Sequence, residues 1–324
     1  MSGSDKITVP TLRRMADSNT PIAALSLYDF PYTRLAEDAG VEMAIVGDSA
    51  LMTVLGLPNT LRLPPEQVMT YMETIAGAVA RAAKRMFVVG DLPFGSYQSS
   101  DALAIRSAER FVNAGCNAAK CEANMRLLPR FKALADSQVA PVMGHIGLNP
   151  QKIHEMGGYR IQGKTVESTL ELVTTAKALE DAGAFALLLE GVTEEVSALI
   201  RSKVKMPVYG IASGKLLHGQ LLISYDPLAL YDWGERLPIH VKHYKPESTG
   251  GKAVADLTLE VFKEYVREVK AGEYPANSHH LSVAEFHTSN DAYVKTLLED
   301  FRKLADSEKF TVSFYEQLQT KIKR

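Results

Sequence analysis

The feature that most constrains this chain is a short, mostly apolar run that recurs with a polar residue at its end. The runs are 22–27, 43–46, 86–89, 118–120, 141–144, 186–189, 208–211 and 221–224. They lead into Tyr28-Asp29, Gly47-Asp48-Ser49, Gly90-Asp91, Cys121-Glu122, His145, Glu190, Ala212-Ser213-Gly214 and Tyr225-Asp226. Each has strand length and is apolar on both faces, as strands of a covered parallel sheet must be. Between several of them lie helical patterns. Segment 65–85 opens on Pro64-Pro65, 100–114 ends at Gly115, 166–182 ends at Gly183, and 194–203 follows. A starting proline and a terminal glycine are the expected helix boundaries. Alternating strands and helices with eight strand candidates predict one α/β domain, a (β/α)₈ barrel of the TIM type, rather than two domains.

One joint fits this scheme poorly: only 212–220 separates the last two runs, shorter than the ~10–12 residues of an ordinary crossover. Beyond the barrel, 252–270 reads as a helix. We expect a barrel domain over 1–281 and an appended helical tail over 282–324, with helical patterns at 290–305 and 310–323. The tail's Leu, Phe and Tyr residues predict packing on the barrel or on a neighbouring subunit.

Composition excludes several partners. The formal net charge is −2 and no long block of like charge occurs, so neither nucleic acid nor an anionic membrane is an expected partner. No run reaches the ~20 apolar residues of a membrane span, and residues 1–10 lack the apolar core of a signal peptide. Cys116 and Cys121 are the two cysteines. They are too few for a disulfide framework and wrongly spaced for zinc, so buried thiols and a cytoplasmic location are expected.

In a parallel barrel the C-terminal strand ends converge on one face, where catalytic groups gather. That face would receive Asp29, Asp48, Asp91, Glu122, His145, Glu190 and Asp226. Carboxylates placed side by side repel unless something positive sits among them. An oxygen-rich cluster suits Mg²⁺, which takes one or two carboxylates and keeps several waters. Aspartate at such positions also serves as a helix N-cap, and that alternative stands beside the metal reading.

Several of these residues lie in longer motifs. Val46-Gly47-Asp48-Ser49, Gly90-Asp91-Leu92-Pro93-Phe94, Lys120-Cys121-Glu122 and Gly144-His145-Ile146-Gly147-Leu148-Asn149-Pro150-Gln151 resemble the ketopantoate hydroxymethyltransferase family. So do Gly157-Gly158-Tyr159-Arg160-Ile161-Gln162-Gly163, Leu188-Leu189-Glu190, His218-Gly219-Gln220 and Tyr274-Pro275 with His279. The resemblance spans residues 7 to 280 in order. It implies a barrel of the phosphoenolpyruvate/pyruvate superfamily and a homo-oligomer. It also implies Mg²⁺-dependent transfer of a hydroxymethyl group from 5,10-methylenetetrahydrofolate to 3-methyl-2-oxobutanoate. Carried over by motif, Asp48 and Asp91 would ligate the metal and Glu122 would reach it through water. Ser49 and Lys120 would hold the substrate's carboxylate and carbonyl, His145 would line the pocket, and Glu190 would be the base. Two of these have plain structural alternatives: Lys120 as a neutralising partner of Glu122, and His145 as a hydrogen-bonded core histidine.

The sequence departs from the family near the same face. Leu51 stands where the family has glycine. Ala123-Asn124 replace a Gly-Gly pair, Gly210-Ile211-Ala212-Ser213-Gly214 replaces Gly-Ile-Gly-Ala-Gly, and His218 replaces aspartate. Leu57-Pro58-Asn59-Thr60 stands for a His-x-Asn/Ser-Thr motif. Metal ligands and base are kept while their surroundings change. A second reading therefore stays open, a paralogous metal-dependent aldolase or carbon–carbon lyase acting on another 2-oxo acid.

Overall fold

The computed structural model describes residues 5–231, 233–234, 237–244 and 254–276. Eight parallel strands close into a barrel in chain order: β1 (Ile22–Ser26), β2 (Met43–Val46), β3 (Phe87–Asp91), β4 (Ala118–Glu122), β5 (Val142–Gly147), β6 (Ala186–Glu190), β7 (Val208–Ile211) and β8 (Gly219–Ile223). Strand β8 pairs back onto β1, with Ala24 beside Leu221. The helices are α1 (Val9–Asp17), α2 (Phe30–Ala39), α3 (Ala50–Thr53), α4 (Pro65–Ala82), α5 (Asp101–Ala114), α6 (Leu128–Asp136), α7 (Ile153–Met156), α8 (Val166–Asp181), α9 (Glu194–Lys203) and α10 (Val254–Ala271). No helix among the described residues is long and apolar enough to cross a membrane. The expected tail over 282–324, the boundary before it and His279 lie outside the described residues.

The eight runs are the eight strands, but their ends shift. Strands β4 and β5 extend beyond the expected 120 and 144, so Glu122 and His145 lie within the sheet rather than beyond it. Strand β8 begins at Gly219, which shortens the last crossover to 212–218 and leaves no room for a helix. Seven residues at about 3.3–3.6 Å each still reach past a four-residue strand. The returning segment lies directly on the sheet: a Cβ on Gly210 would stand 2.4 Å from Leu217 Cδ1. Arg201 braces it, donating a hydrogen bond to the Leu216 carbonyl at 3.1 Å.

Every strand is buried on both faces, and period two divides the core. Inward residues such as Ile22, Ala24, Met43, Ile45, Phe87, Val89, Met143 and Leu188 pack into one lumen cluster. Their neighbours Ala23, Ala44, Val88, Cys121 and Leu187 pack outward against the helices. Helix α1, capped by Thr8, plugs the N-terminal end with Leu12, and Ile7 just before it joins the same cluster. Helix α10 takes the eighth helix position. There Tyr265 donates to the Gln220 carbonyl at 2.8 Å, over the seam where β8 meets β1. Cys116 and Cys121 are buried free thiols, as expected.

The seam leaves no space at Gly219. A Cβ there would meet the Tyr209 ring at 2.5 Å and the Ile22 carbonyl oxygen at 2.8 Å. Neither neighbour can move without opening the barrel, and overpacking of this kind costs about 1–3 kcal/mol. Gly219→Ala is therefore expected to lower the urea midpoint by that much stability, and an unchanged midpoint would contradict the seam as described.

Candidate active site

The alternation that fills the lumen also builds the site. Following each inward side toward the C-terminal end, β3 reads Phe87, Val89, Asp91 and β4 reads Ala118, Lys120, Glu122. Strand β5 reads Met143, His145, and β6 reads Ala186, Leu188, Glu190. Apolar residues plug the lower lumen and ionisable ones crown it. Above them opens a cavity of about 390 Å³, which Asp48 and Ser49 enter from the turn after β2. All seven site residues expected from the sequence line it: Asp48, Ser49, Asp91, Lys120, Glu122, His145 and Glu190.

One half of this cavity, from β2 to β5, is oxygen-rich. Lys120 Nζ lies 2.6 Å from Asp91 Oδ2, with both side chains almost wholly buried. The Asp48 amide also points at Asp91 Oδ2, at 3.4 Å. Gln151 ties the group together. Its Nε2 donates to Asp48 Oδ2 and to the Leu92 carbonyl, each at 3.0 Å, and its amide donates to Glu122 Oε1 at 3.0 Å. Burial, and then the adjacent Asp91, lifts the Asp48 carboxyl to about 7. Burial and the nearby Asp48 carboxylate push Glu122 well above the usual range. Burial works against the Lys120 ammonium, but Asp91 and Asp48 outweigh it and raise its pKa. Ser49 Oγ shares a hydrogen bond of 2.7 Å with Tyr28.

Glu190 stands at the edge of this half. Burial lifts its carboxyl to about 7, against the pull of Lys120. Its side chain keeps 24 % exposure where Lys120 keeps 6 %. It is thus the carboxylate most open to a ligand. His145 Nε2 lies 3.2 Å from Glu190 Oε2, yet among the described residues neither ring nitrogen makes a hydrogen bond. Burial holds His145 well below the ordinary histidine value, so it is neutral.

The other half is apolar, with Ile211, Ala212, Leu221 and Ile223 from β7, β8 and their ends. Tyr159, Trp233 and Ile239 add aromatic and aliphatic cover. Gln151, Tyr159, Trp233 and His240 received no role from the sequence. Gln151 and Tyr159 lay inside motifs, but a neutral amide and a phenol carry no charge signal. Trp233 and His240 follow β8 in a segment without periodicity.

Two expected members of the crown are elsewhere. Asp29 caps α2, its Oδ1 accepting from the Tyr32 amide at 2.7 Å, and does not line the cavity. Asp226 is fully buried behind the wall and accepts from the Trp233 indole at 2.9 Å. Most departures from the family also turn away from the cavity. Leu51 packs into the core between strands and helices. Ala123 donates its amide to the His145 carbonyl, and Asn124 Oδ1 accepts from the Leu127 amide. His218 sits at the opposite end of the barrel, before β8. Ala212 and Thr60 do line the cavity. Ala212 holds φ +53°, the left-handed region where a side chain costs roughly 1–2 kcal/mol.

The donor set fits a hard cation. Among the described residues, Asp91 Oδ1 and Glu122 Oε2 are buried without any hydrogen-bond partner, and such atoms are costly unless something binds them. Among the described residues no three His, Cys, Asp or Glu side chains form a ready-made cage. Two carboxylates with room for water suit Mg²⁺ rather than Zn²⁺.

Residues 6–277 match the family model described as ketopantoate hydroxymethyltransferase. The chain is 37 % identical over 275 residues to the 3-methyl-2-oxobutanoate hydroxymethyltransferase of Ignicoccus hospitalis, covering 85 % of this chain and 99 % of that one. It is 40 % identical over 275 residues to the enzyme of the same name from Alkaliphilus metalliredigens, covering 85 % and 92 %. Among solved structures, the phosphoenolpyruvate phosphomutase of Streptomyces platensis aligns with TM-score 0.52 at 14 % identity, over 98 % of this chain and all of that one. A phosphonopyruvate hydrolase complexed with oxalate and Mg²⁺ aligns with TM-score 0.51 at 13 % identity, over 94 % of this chain and all of that one. These distant likenesses share the barrel alone. The sequence matches go further, and the chain belongs to the ketopantoate hydroxymethyltransferase family.

Proposed function

We propose that this enzyme deprotonates C3 of 3-methyl-2-oxobutanoate with Glu190 and transfers a hydroxymethyl group to that carbon from 5,10-methylenetetrahydrofolate. The observation that carries this reading is the placement of Glu190: a carboxyl lifted to about 7, open to the cavity, between an oxygen-rich half and an apolar half. A 2-oxo acid with a branched tail has the same two ends. Its carboxylate and carbonyl face Lys120 and Ser49, its isopropyl group faces Ile211 and Ile223, and C3 falls between them, beside Glu190.

The C3 proton is far too weakly acidic for a carboxylate in water. Near-neutral pKa matches a general base to its task, and here burial provides it. Lys120 brings positive charge to the oxygen that becomes negative as the proton leaves, and preorganised charge of this kind is the larger part of catalysis. Asp48 and Asp91, with Glu122 through water, would hold Mg²⁺, which would add electrophilic stabilisation of the enolate. Neutral His145 stands beside Glu190 without competing for its proton. Water adds to the methylene carbon of the folate and tetrahydrofolate leaves, which releases the one-carbon unit as formaldehyde. The C3 carbanion adds to that carbonyl carbon, and the alkoxide takes back the proton held by Glu190 to give 2-dehydropantoate. Because Leu51, Ala123 and Asn124 are not among the residues that line the cavity, they give no support to a different substrate. The family resemblance and the free thiols support a cytoplasmic homo-oligomer.

Glu190→Gln is expected to slow C3 proton exchange by roughly 10²–10⁴-fold while Mg²⁺ binding by calorimetry stays unchanged; full exchange would remove Glu190 from the mechanism. Asp91→Asn is expected to weaken Mg²⁺ binding and exchange together, and a variant with normal binding would contradict its role as ligand. For pH, Glu190 must be ionised to act. Exchange should therefore fall as pH drops below about 7, and a rate flat down to pH 5 would exclude a base with that pKa.

A further inference from the structure

The wall opposite the oxygen-rich half is built by β7, β8 and the segment after β8, and Trp233 is its largest side chain. Two contacts fix this ring. Its indole N–H donates to Asp226 Oδ1 at 2.9 Å, and Tyr231 stands edge-on to it, with centroids 4.8 Å apart and planes at 79°. Asp226 is itself wholly buried, in a turn where its amide donates to the Ile223 carbonyl at the end of β8 at 3.0 Å. A buried carboxylate is costly to keep, and among the described residues this one's hydrogen bonds lead only to the ring and its own turn. The indole is thereby joined to the barrel frame, whereas an unanchored aliphatic side chain would shift to suit its ligand.

We propose that Trp233, oriented by Asp226, sets which 2-oxo acids the enzyme accepts, by closing the alkyl half of the cavity against groups larger than isopropyl. This rests on the reading of the cavity as a 2-oxo acid site. A stiff aromatic wall rejects added bulk because the misfit cannot be relieved by a rotamer change. Trp233 touches substrate and is a specificity residue; Asp226 acts through it and is a positioning residue.

The test uses the fact that Trp233 is the single tryptophan of the chain, so the protein's tryptophan emission is its emission. The full-length protein would be titrated with 3-methyl-2-oxobutanoate in the presence of Mg²⁺, following fluorescence. C3 proton exchange would be compared for this acid, for 3-methyl-2-oxopentanoate and for cyclohexylglyoxylate. The titration is expected to shift or quench the emission in the wild type. Trp233→Ala should narrow the preference for the smallest acid by about tenfold or more. Asp226→Leu should act in the same direction, while Asp226→Asn, which keeps an acceptor for the indole, should retain the wild-type preference. Wild-type exchange without any emission change would overturn the proposal, and that arm needs no variant to fold. So would an unchanged preference in Trp233→Ala, or an emission change caused only by the folate, which would place Trp233 at the donor. If no 2-oxo acid is exchanged by the wild type, the enolisation reading itself fails, a result distinct from these.

Discussion

The Lys120 ammonium and the Asp91 carboxylate, 2.6 Å apart and almost wholly buried, form the contact around which the charge of this site is balanced. Three carboxylates, Asp48, Asp91 and Glu122, crowd the same few ångströms of a lumen whose lower part is packed with Ile, Met, Phe and Val side chains. Without a cation among them this arrangement would be costly, since buried like charges cannot all ionise. A single lysine cannot satisfy all three. That shortfall shows in the lifted pKa values of Asp48 and Glu122 and in the unpartnered Asp91 Oδ1 and Glu122 Oε2. The same shortfall is why the donor set of the crown fits a divalent cation.

Placement of these groups follows from the strands. In a closed parallel barrel each strand has one inward face, so a residue two positions above a lumen core residue must enter the cavity. Leu188 fills the lumen and Glu190 therefore enters the cavity; Val89 does the same for Asp91. Stability and function are thus written on alternate stretches of one face. Gln151 adds what the strands cannot. It comes from the loop after β5 and holds Asp48 and Glu122, from two different places in the barrel, in one network.

Much of this was legible in the sequence, for physical reasons. Strands buried on both faces appear as unbroken apolar runs, and an ionisable residue closing such a run is conspicuous. The positions of Asp91, Glu122, His145 and Glu190 could be read in that way. A polar residue does not by itself end a strand, since Glu122 and His145 are still paired with each other in the sheet. Helices α2 and α6 leave little apolar pattern in the sequence because they bury only three and two side chains. Position next to a motif also proved a poor guide to which way a side chain faces. Leu51 follows Asp48-Ser49 closely but lies on α3 and turns to the core, and Asp29 closes a strand yet only caps a helix. The sequence marks Asp226 as a strand-end carboxylate but gives no sign of Trp233 or of their pairing, because that relation is a contact across a turn and not a periodic pattern.

The central claim is that Glu190 and the carboxylate crown together enolise a 2-oxo acid. Its most direct test is proton NMR of 3-methyl-2-oxobutanoate in D₂O with the wild-type protein, watching the C3 proton with Mg²⁺ and then with excess chelator, in the absence of folate. Loss of that proton's signal with Mg²⁺, halted by the chelator, is the expected result. A C3 signal that persists under both conditions, from protein shown to be folded, would contradict it.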